Sequence, residues 1–395
     1  MLAAALFSAS SASAQDAKIL KLVGAGSATV VLANGSSQPA SPGLSVPVTA
    51  QIRTGAGIEV YLEAIPGVVA TIKENSLVVV ETLAGPQPIL DLRQGSIVSQ
   101  VDRSRIQGRT YGVRTPRGVA AARGTAYTVT VNNQSYTVVT AAGGVTITGG
   151  GVAIDVGAGG VSFNGGPATN AAGLSSTEMT QVAQALSAAA AAVAVVASDA
   201  GTFGANSANA STELTQVLNT VVTQFSQAPG VLAQVVASAA AAAPSQADEI
   251  VTAAINAAAA AGQDVTEVAK IVTQAAAEGA AKTLTSQSAG EGQTTSAASI
   301  AQTIAEAAAR AVLAAAPGQV ATAAQAIAQA ATDGALLGAN AAGASVNGGT
   351  VASAAATGAA AGSGTTVLPP VTSPLLPAAT PITPIDPTIN VSPSR

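Results

Sequence analysis

Histidine and cysteine, the side chains that most often act as general bases, thiolate nucleophiles and transition-metal ligands, are both absent from this 395-residue sequence. Disulfides, zinc sites and imidazole catalysis are excluded with them. What remains is carboxylates and arginines. Glu59 and Glu63 stand four apart; in a strand they share one face but lie about 13 Å apart, too far for a retaining glycosidase pair. Asp248 and Glu249 open a helical stretch, where negative charge complements the helix dipole, and they are expected to cap it. Gly150-Gly151-Val152-Ala153-Ile154-Asp155 approaches a calcium-binding nonapeptide, but Ala153 stands where the third glycine belongs. Glycine corners explain that stretch better. The sequence therefore predicts no enzyme, no cofactor and no metal.

The densest functional-group pattern is basic. Seven arginines, Arg93, Arg103, Arg105, Arg109, Arg114, Arg117 and Arg123, fall within thirty-one residues, with Asp102 the only acid among them. Such a run can form a face for an acidic partner, although charge runs more often only keep a surface solvated. Nucleic acid is not expected, because Tyr111 is the only aromatic side chain in the run and single-strand binders stack bases on several. An acidic protein surface, including the chain's own helical region, or an anionic envelope polymer fits better. Residues 16–166 hold 11 basic and 8 acidic side chains, against 4 and 12 in all that follows.

The elements that must carry these residues change character along the chain. Residues 1–14 give a short apolar stretch and then Ala12-Ser13-Ala14, the small-x-small pattern of a signal peptide cleaved after Ala14. Export to the periplasm, the cell surface or the medium is the expectation. From residue 15 to 166, β-branched residues alternate between Gly, Pro and Asn breaks, which predicts an all-β domain of many short strands with glycine corners, rolled or solenoidal in form. The clearest hairpin pairs Tyr127, Val129 and Val131 with Tyr136, Val138 and Thr140 across Asn132-Asn133-Gln134, one face packed and the other wet.

After a linker at 167–174, the apolar period switches to that of a helix, within alanine, over 175–339. Pro229, Pro244, Gly262, Gly279, Pro317 and Gly334 mark a repeat of roughly 17 residues, one helix and a turn each, and imply stacked antiparallel helices. Ser245 with Asp248, and Asp264 with Glu267, supply cap chemistry. Within this region the richest apolar runs, near 188–197 and 231–243, are too short and too alanine-rich to predict a transmembrane segment. From 340 the chain becomes a Gly/Ala/Ser linker, then from Val367 a proline-rich tail expected to be disordered or extended, a spacer or docking peptide. The oligomeric state is not written in the sequence.

One stretch is specific enough to resemble a known family. Val113-Arg114-Thr115-Pro116-Arg117-Gly118, then Ala120 to Thr125, then the strand from Tyr127 to Val131, resembles the V-x-T-P … R-G-T signature of the FecR domain. Thr71 to Ser76 and Leu92 to Ile97 are similar to two further steps of that family, and the likeness runs from about Val46 to Gly150. The resemblance implies a periplasmic β-structured interaction module, in its best-known members tied through a membrane span to an anti-sigma segment and sensing a protein partner. No span precedes the β-region in this sequence, so it implies a stand-alone exported domain, or a component of a FecR-type signalling pathway without anchor and anti-sigma part. On the residues themselves, Pro116 forces Thr115 into extended backbone, Gly118 and Gly124 permit turns, Arg123 is expected to donate to turn carbonyls, and Thr115 and Thr125 to close the turns with hydrogen bonds.

Overall fold

The structure, a computed structural model, describes residues 15–365 with the exception of Gln134. The proposed signal peptide and the proline-rich tail from Val367 lie outside the described residues.

Strand formation follows the alternation of β-branched residues. In chain order the strands are β1 (Ala17–Gly24), β2 (Ala28–Val31), β3 (Ser37–Pro39), β4 (Ser45–Val46), β5 (Gln51–Thr54), β6 (Ile58–Ile65), β7 (Val68–Ile72) and β8 (Leu77–Thr82). They continue as β9 (Ile89–Val101), β10 (Tyr111–Thr115), β11 (Gly118–Ala122), β12 (Thr125–Asn132), β13 (Ser135–Ala142), β14 (Gly144–Gly149), β15 (Val152–Gly157) and β16 (Val161–Phe163). Two layers result. One has the order β4-β1-β6-β7-β9-β12-β13-β16, the other β3-β2-β5-β8-β9-β10-β11-β14-β15.

β9 belongs to both layers. Residues 89–94 pair with β8 and β10, residues 95–101 with β7 and β12, and the strand changes layer at Gly95. There φ is +88°, and a Cβ would stand 2.1 Å from Ser76 Oγ, so only glycine fits the bend. The core between the layers takes Ile19, Val60, Tyr127 and Val129 from one and Val30, Ile52, Leu90 and Val113 from the other. This arrangement corrects the rolled or solenoidal form. Every strand pairing but β9–β10 is antiparallel, and the layers end in open edges. The glycine corners reverse the chain into hairpins rather than step it to a next coil.

The β12–β13 hairpin has the register Tyr127↔Thr140, Val129↔Val138, Val131↔Tyr136, with Asn133 at φ +45° in its turn. Its second face, however, is dry. Ala126, Val139 and Ala141 join Tyr61, Val69 and Val98 in a second core that continues into the helices, and buried Thr128 donates its hydroxyl to Ala185 O at 3.0 Å. One layer is thus covered and the other open, because the helices' core includes no residue of the β3–β15 layer beyond the shared β9.

Helices occupy Ser176–Ser198 (α1), Ala200–Phe203 (α2), Ala210–Gln224 (α3), Pro229–Ala242 (α4), Ala247–Ala260 (α5), Val265–Ser286 (α6), Glu291–Ala315 (α7), Val320–Ala341 (α8) and Gly348–Ser363 (α9). Ser175 starts α1 with a reciprocal capping box to Glu178, and Asp264 caps α6 through the amides of Thr266 and Glu267. Ser245 makes no such cap, since a 3₁₀ turn at Pro244–Gln246 runs straight into α5.

By length and composition α1 would pass for a membrane span, which amends the expectation from the sequence, but two thirds of its apolar window is buried between the covered layer, α3 and α4. It is a core helix. Apart from α2, the helices stack in two rows, α1-α4-α6-α8 and α3-α5-α7-α9.

Alanine faces bury little area each, so the rows gain from close approach. A Cβ on Gly279 of α6 would stand 2.1 Å from Ala237 O of α4, and one on Gly334 of α8 2.2 Å from Gln274 O of α6. These two glycines, expected as turns, therefore lie inside helices and mark contact points, whereas Gly262, at φ +66°, does turn the chain. The linker expected from 340 is also corrected. α9 occupies most of it, and a Cβ on Gly358 or Gly362 would stand 2.0 or 2.1 Å from Gln302 O or Glu306 O of α7.

Candidate interaction surfaces

The arginine run does not gather into one face. Strand reversal distributes it over four places. Arg93 and Arg114 lie on the open layer, where Arg93 Nε donates to Asp91 Oδ2 at 2.6 Å and Arg114 holds Glu81 through Nε and Nη2 at 2.5 and 2.9 Å. Hydrogen bonding to Glu81 raises the Arg114 guanidinium further above its ordinary pKa. These four side chains, with Thr49, Val79 and Val80, line a shallow depression of about 300 Å³.

Arg105 turns instead toward the helices and donates to Asn206, which passes its own amide to Glu63 at 2.8 Å. It belongs to a polar seam joining the covered layer to α2 and α3. Lys21 pairs with Asp199 at 2.8 Å, Asn209 donates to Asp102 at 2.7 Å, and Gln100 donates to Glu213 at 3.0 Å. Burial pushes the Glu213 carboxyl up to about 7, partly offset by the Gln100 amide and reinforced by the charge of Asp102. Asp102 itself sits low, since Ser104 and Asn209 outweigh its burial. Asp199 and Glu213 of this seam did not stand out in the sequence, because no local period links a strand end at 100–102 to a helix more than a hundred residues on.

The motif residues stand at two turns. Thr115 ends β10, donating to Gly118 O at 3.1 Å and accepting from the Arg117 amide at 3.4 Å. Pro116 and Arg117 are exposed in that turn. A Cβ on Gly118 would meet Thr148 O at 2.5 Å, which fixes the close approach of β11 to β14. Thr125 donates to Gly144 O at 2.9 Å and ties β12 to the start of β14. Arg123 is exposed and makes no hydrogen bond among the described residues, so the expected donation to turn carbonyls is replaced by a free guanidinium. Gly124 beside it has φ +78°.

Asp248 and Glu249 lie in the first turn of α5 but make no capping hydrogen bond, which corrects their expected role as caps. Glu59 is ion-paired with Lys73, and Glu63 accepts from Asn206. Asp155, of the calcium-like stretch, accepts from Thr146 at 2.7 Å, and among the described residues no cluster of three carboxylates is placed to hold a metal ion.

Residues 50–146 match the family model described as FecR protein. The chain carries a FecR domain. The match runs from the start of β5 into β14, and these strands form the contiguous middle of both layers; β1 to β4, β15 and β16 extend the FecR domain at its edges. No curated protein matches the chain. Two crystal structures of a candidate anti-sigma factor from Parabacteroides distasonis, at 2.50 and 1.65 Å, are similar at 14% identity and a TM-score of 0.27. The likeness covers 30% of this chain and 57% of theirs, so the chain spans little more than half of their length.

Proposed function

We propose that this chain is an exported, non-catalytic interaction protein of the bacterial cell envelope, in which the FecR domain binds a protein partner through its open layer and the helical rows serve as scaffold. The observation that carries the proposal is the asymmetry of the FecR domain. Its covered layer is buried under α1 and α3, while the layer bearing Glu81, Asp91, Arg93 and Arg114 stays exposed as a mixed-charge face. Complementary charges on such a face set register and partner choice more than affinity. Cleavage after Ala14 and residence in the periplasm or at the surface belong to the same proposal, as does a place in a FecR-type surface signalling pathway, which the family match favours.

The test is fractionation of cells with sequencing of the mature N-terminus, followed by photo-crosslinking from Arg53 or Thr148 on the open layer and from Thr357 on α9. A mature chain starting at Gln15 in the envelope fraction, with partner adducts from the open layer alone, is expected. An intact cytoplasmic chain, or adducts only from α9, overturns it.

A further inference from the structure

Arg103 and Arg123 meet at a corner that neither the open layer nor the seam absorbs, and Arg109 follows directly on Gly108, which lines it. The segment between β9 and β10 and the turn between β11 and β12 come together there. A Cβ on Gly124 would lie 2.7 Å from Arg103 Cβ and 3.3 Å from its Cδ, so the Arg103 stem runs over the residue that follows Arg123. Arg123 Nη2 in turn comes within 3.9 Å of the Cβ position of Gly108, the residue before Arg109.

Arg103 and Arg123 are exposed and Arg109 is half-buried, and none of the three has an ion pair among the described residues. The nearest carboxylate in sequence is already occupied. Asp102 accepts from the Ser104 amide and hydroxyl at 2.9 and 2.7 Å and from Asn209 at 2.7 Å. None of these three guanidinium groups therefore has an ion-pair partner among the described residues, whereas Arg93 and Arg114 of the same run are each ion-paired.

We propose that Arg103, Arg109 and Arg123 bind the phosphate groups of an envelope polyanion. Every cation at the corner is a guanidinium, whose planar fork matches phosphate oxygens two at a time, and a tetrahedral phosphate can present oxygens to several forks at once. The nearest aromatic side chain in sequence, Tyr111, is fully buried, so bases have nothing to stack on and the recognised group is the phosphate alone. The site is separate from the open layer and does not depend on the protein partner proposed for it.

The experiment titrates the full chain with inorganic polyphosphate at low salt, alongside R103A/R123A, R103K/R123K and, as a control on a distant exposed arginine, R310A. The wild type and R310A bind, and affinity falls as salt rises. R103A/R123A loses about tenfold or more, and the lysine variant, with charge kept and fork lost, lies between. Circular dichroism checks that each variant is folded. Flotation with phosphatidylcholine vesicles, with and without phosphatidylglycerol, separates the sources: capture by the anionic vesicles assigns a lipid headgroup, polyphosphate binding alone a soluble polymer. No polyphosphate binding, equal binding by R103A/R123A, or equally tight binding of polyglutamate overturns the proposal.

Discussion

Replacing Gly338 of α8 by alanine sets two well-measured effects against each other. In an isolated helix the change is favourable by about 1 kcal/mol, because alanine loses less backbone entropy. Here the new Cβ would stand 2.1 Å from Glu278 O and 2.8 Å from Lys282 N, both main-chain atoms of α6. That is more than 1 Å inside van der Waals contact, and no side chain can swing away to relieve it. Separating the two helices gives up contacts along the seam that Gly334 shares, and overpacking of this kind costs about 3 kcal/mol at the upper end of its usual range. The net expectation is a loss of about 2 kcal/mol.

Gly292, in the first turn of α7, is the matched control, since its Cβ would approach nothing closer than Ser288 Cβ at 3.7 Å. G292A should stabilise by a few tenths of a kcal/mol up to about 1. Chemical denaturation of the full chain followed by helix ellipticity distinguishes them. If G338A is as stabilising as G292A, the helices are not packed in rows, and the alanine-rich region is a loose helical spacer.

Glu213→Gln tests the seam. The wild-type carboxyl has its pKa raised from 4.5 to about 7, so the folded state is not penalised below pH 4.5, loses stability as pH rises through that window, and carries the full penalty above 7. The glutamine variant should therefore melt higher than wild type at pH 8, by up to about 3 kcal/mol of stability, and show no gain at pH 4; identical profiles refute the burial of this group. Gly95→Ala attacks the bend in β9, where φ is +88° and Ser76 Oγ lies 2.1 Å from the new Cβ. A loss of about 3 kcal/mol or more is expected in urea denaturation of the full chain, and a loss below about 1 would show that the strand does not pass between layers there.

What the sequence made legible was local. The alternation from Tyr127 to Thr140 around an asparagine turn fixes the hairpin register without outside help, and Asp264 with Glu267 marks the start of α6, which Asp264 caps. Pairings that depend on distant segments were not legible. A strand with threonine on its second face, such as Thr128, reads as half-wet until a helix from fifty residues further on covers it. The glycines of α9 have the composition of a linker and Gly334 of α8 that of a turn, and only the carbonyls opposite them reveal that they serve close packing. For the candidate surfaces, clustering of arginines in sequence did not mean clustering in space. The one local hint was Asp91 with Arg93, two apart and hence on one face of a strand, while the Glu81–Arg114 pair spans two strands.

β9 contributes one half of its length to each layer. Neither layer can therefore fray independently at its centre, because opening one removes the ladder partner that holds the strand for the other. The FecR domain should exchange its β9 amides only through whole-domain opening, as a single cooperative unit. Its edge strands β15 and β3, each paired on one side alone, are then where solvent enters first, and any partner that holds an edge slows the breathing of that whole unit.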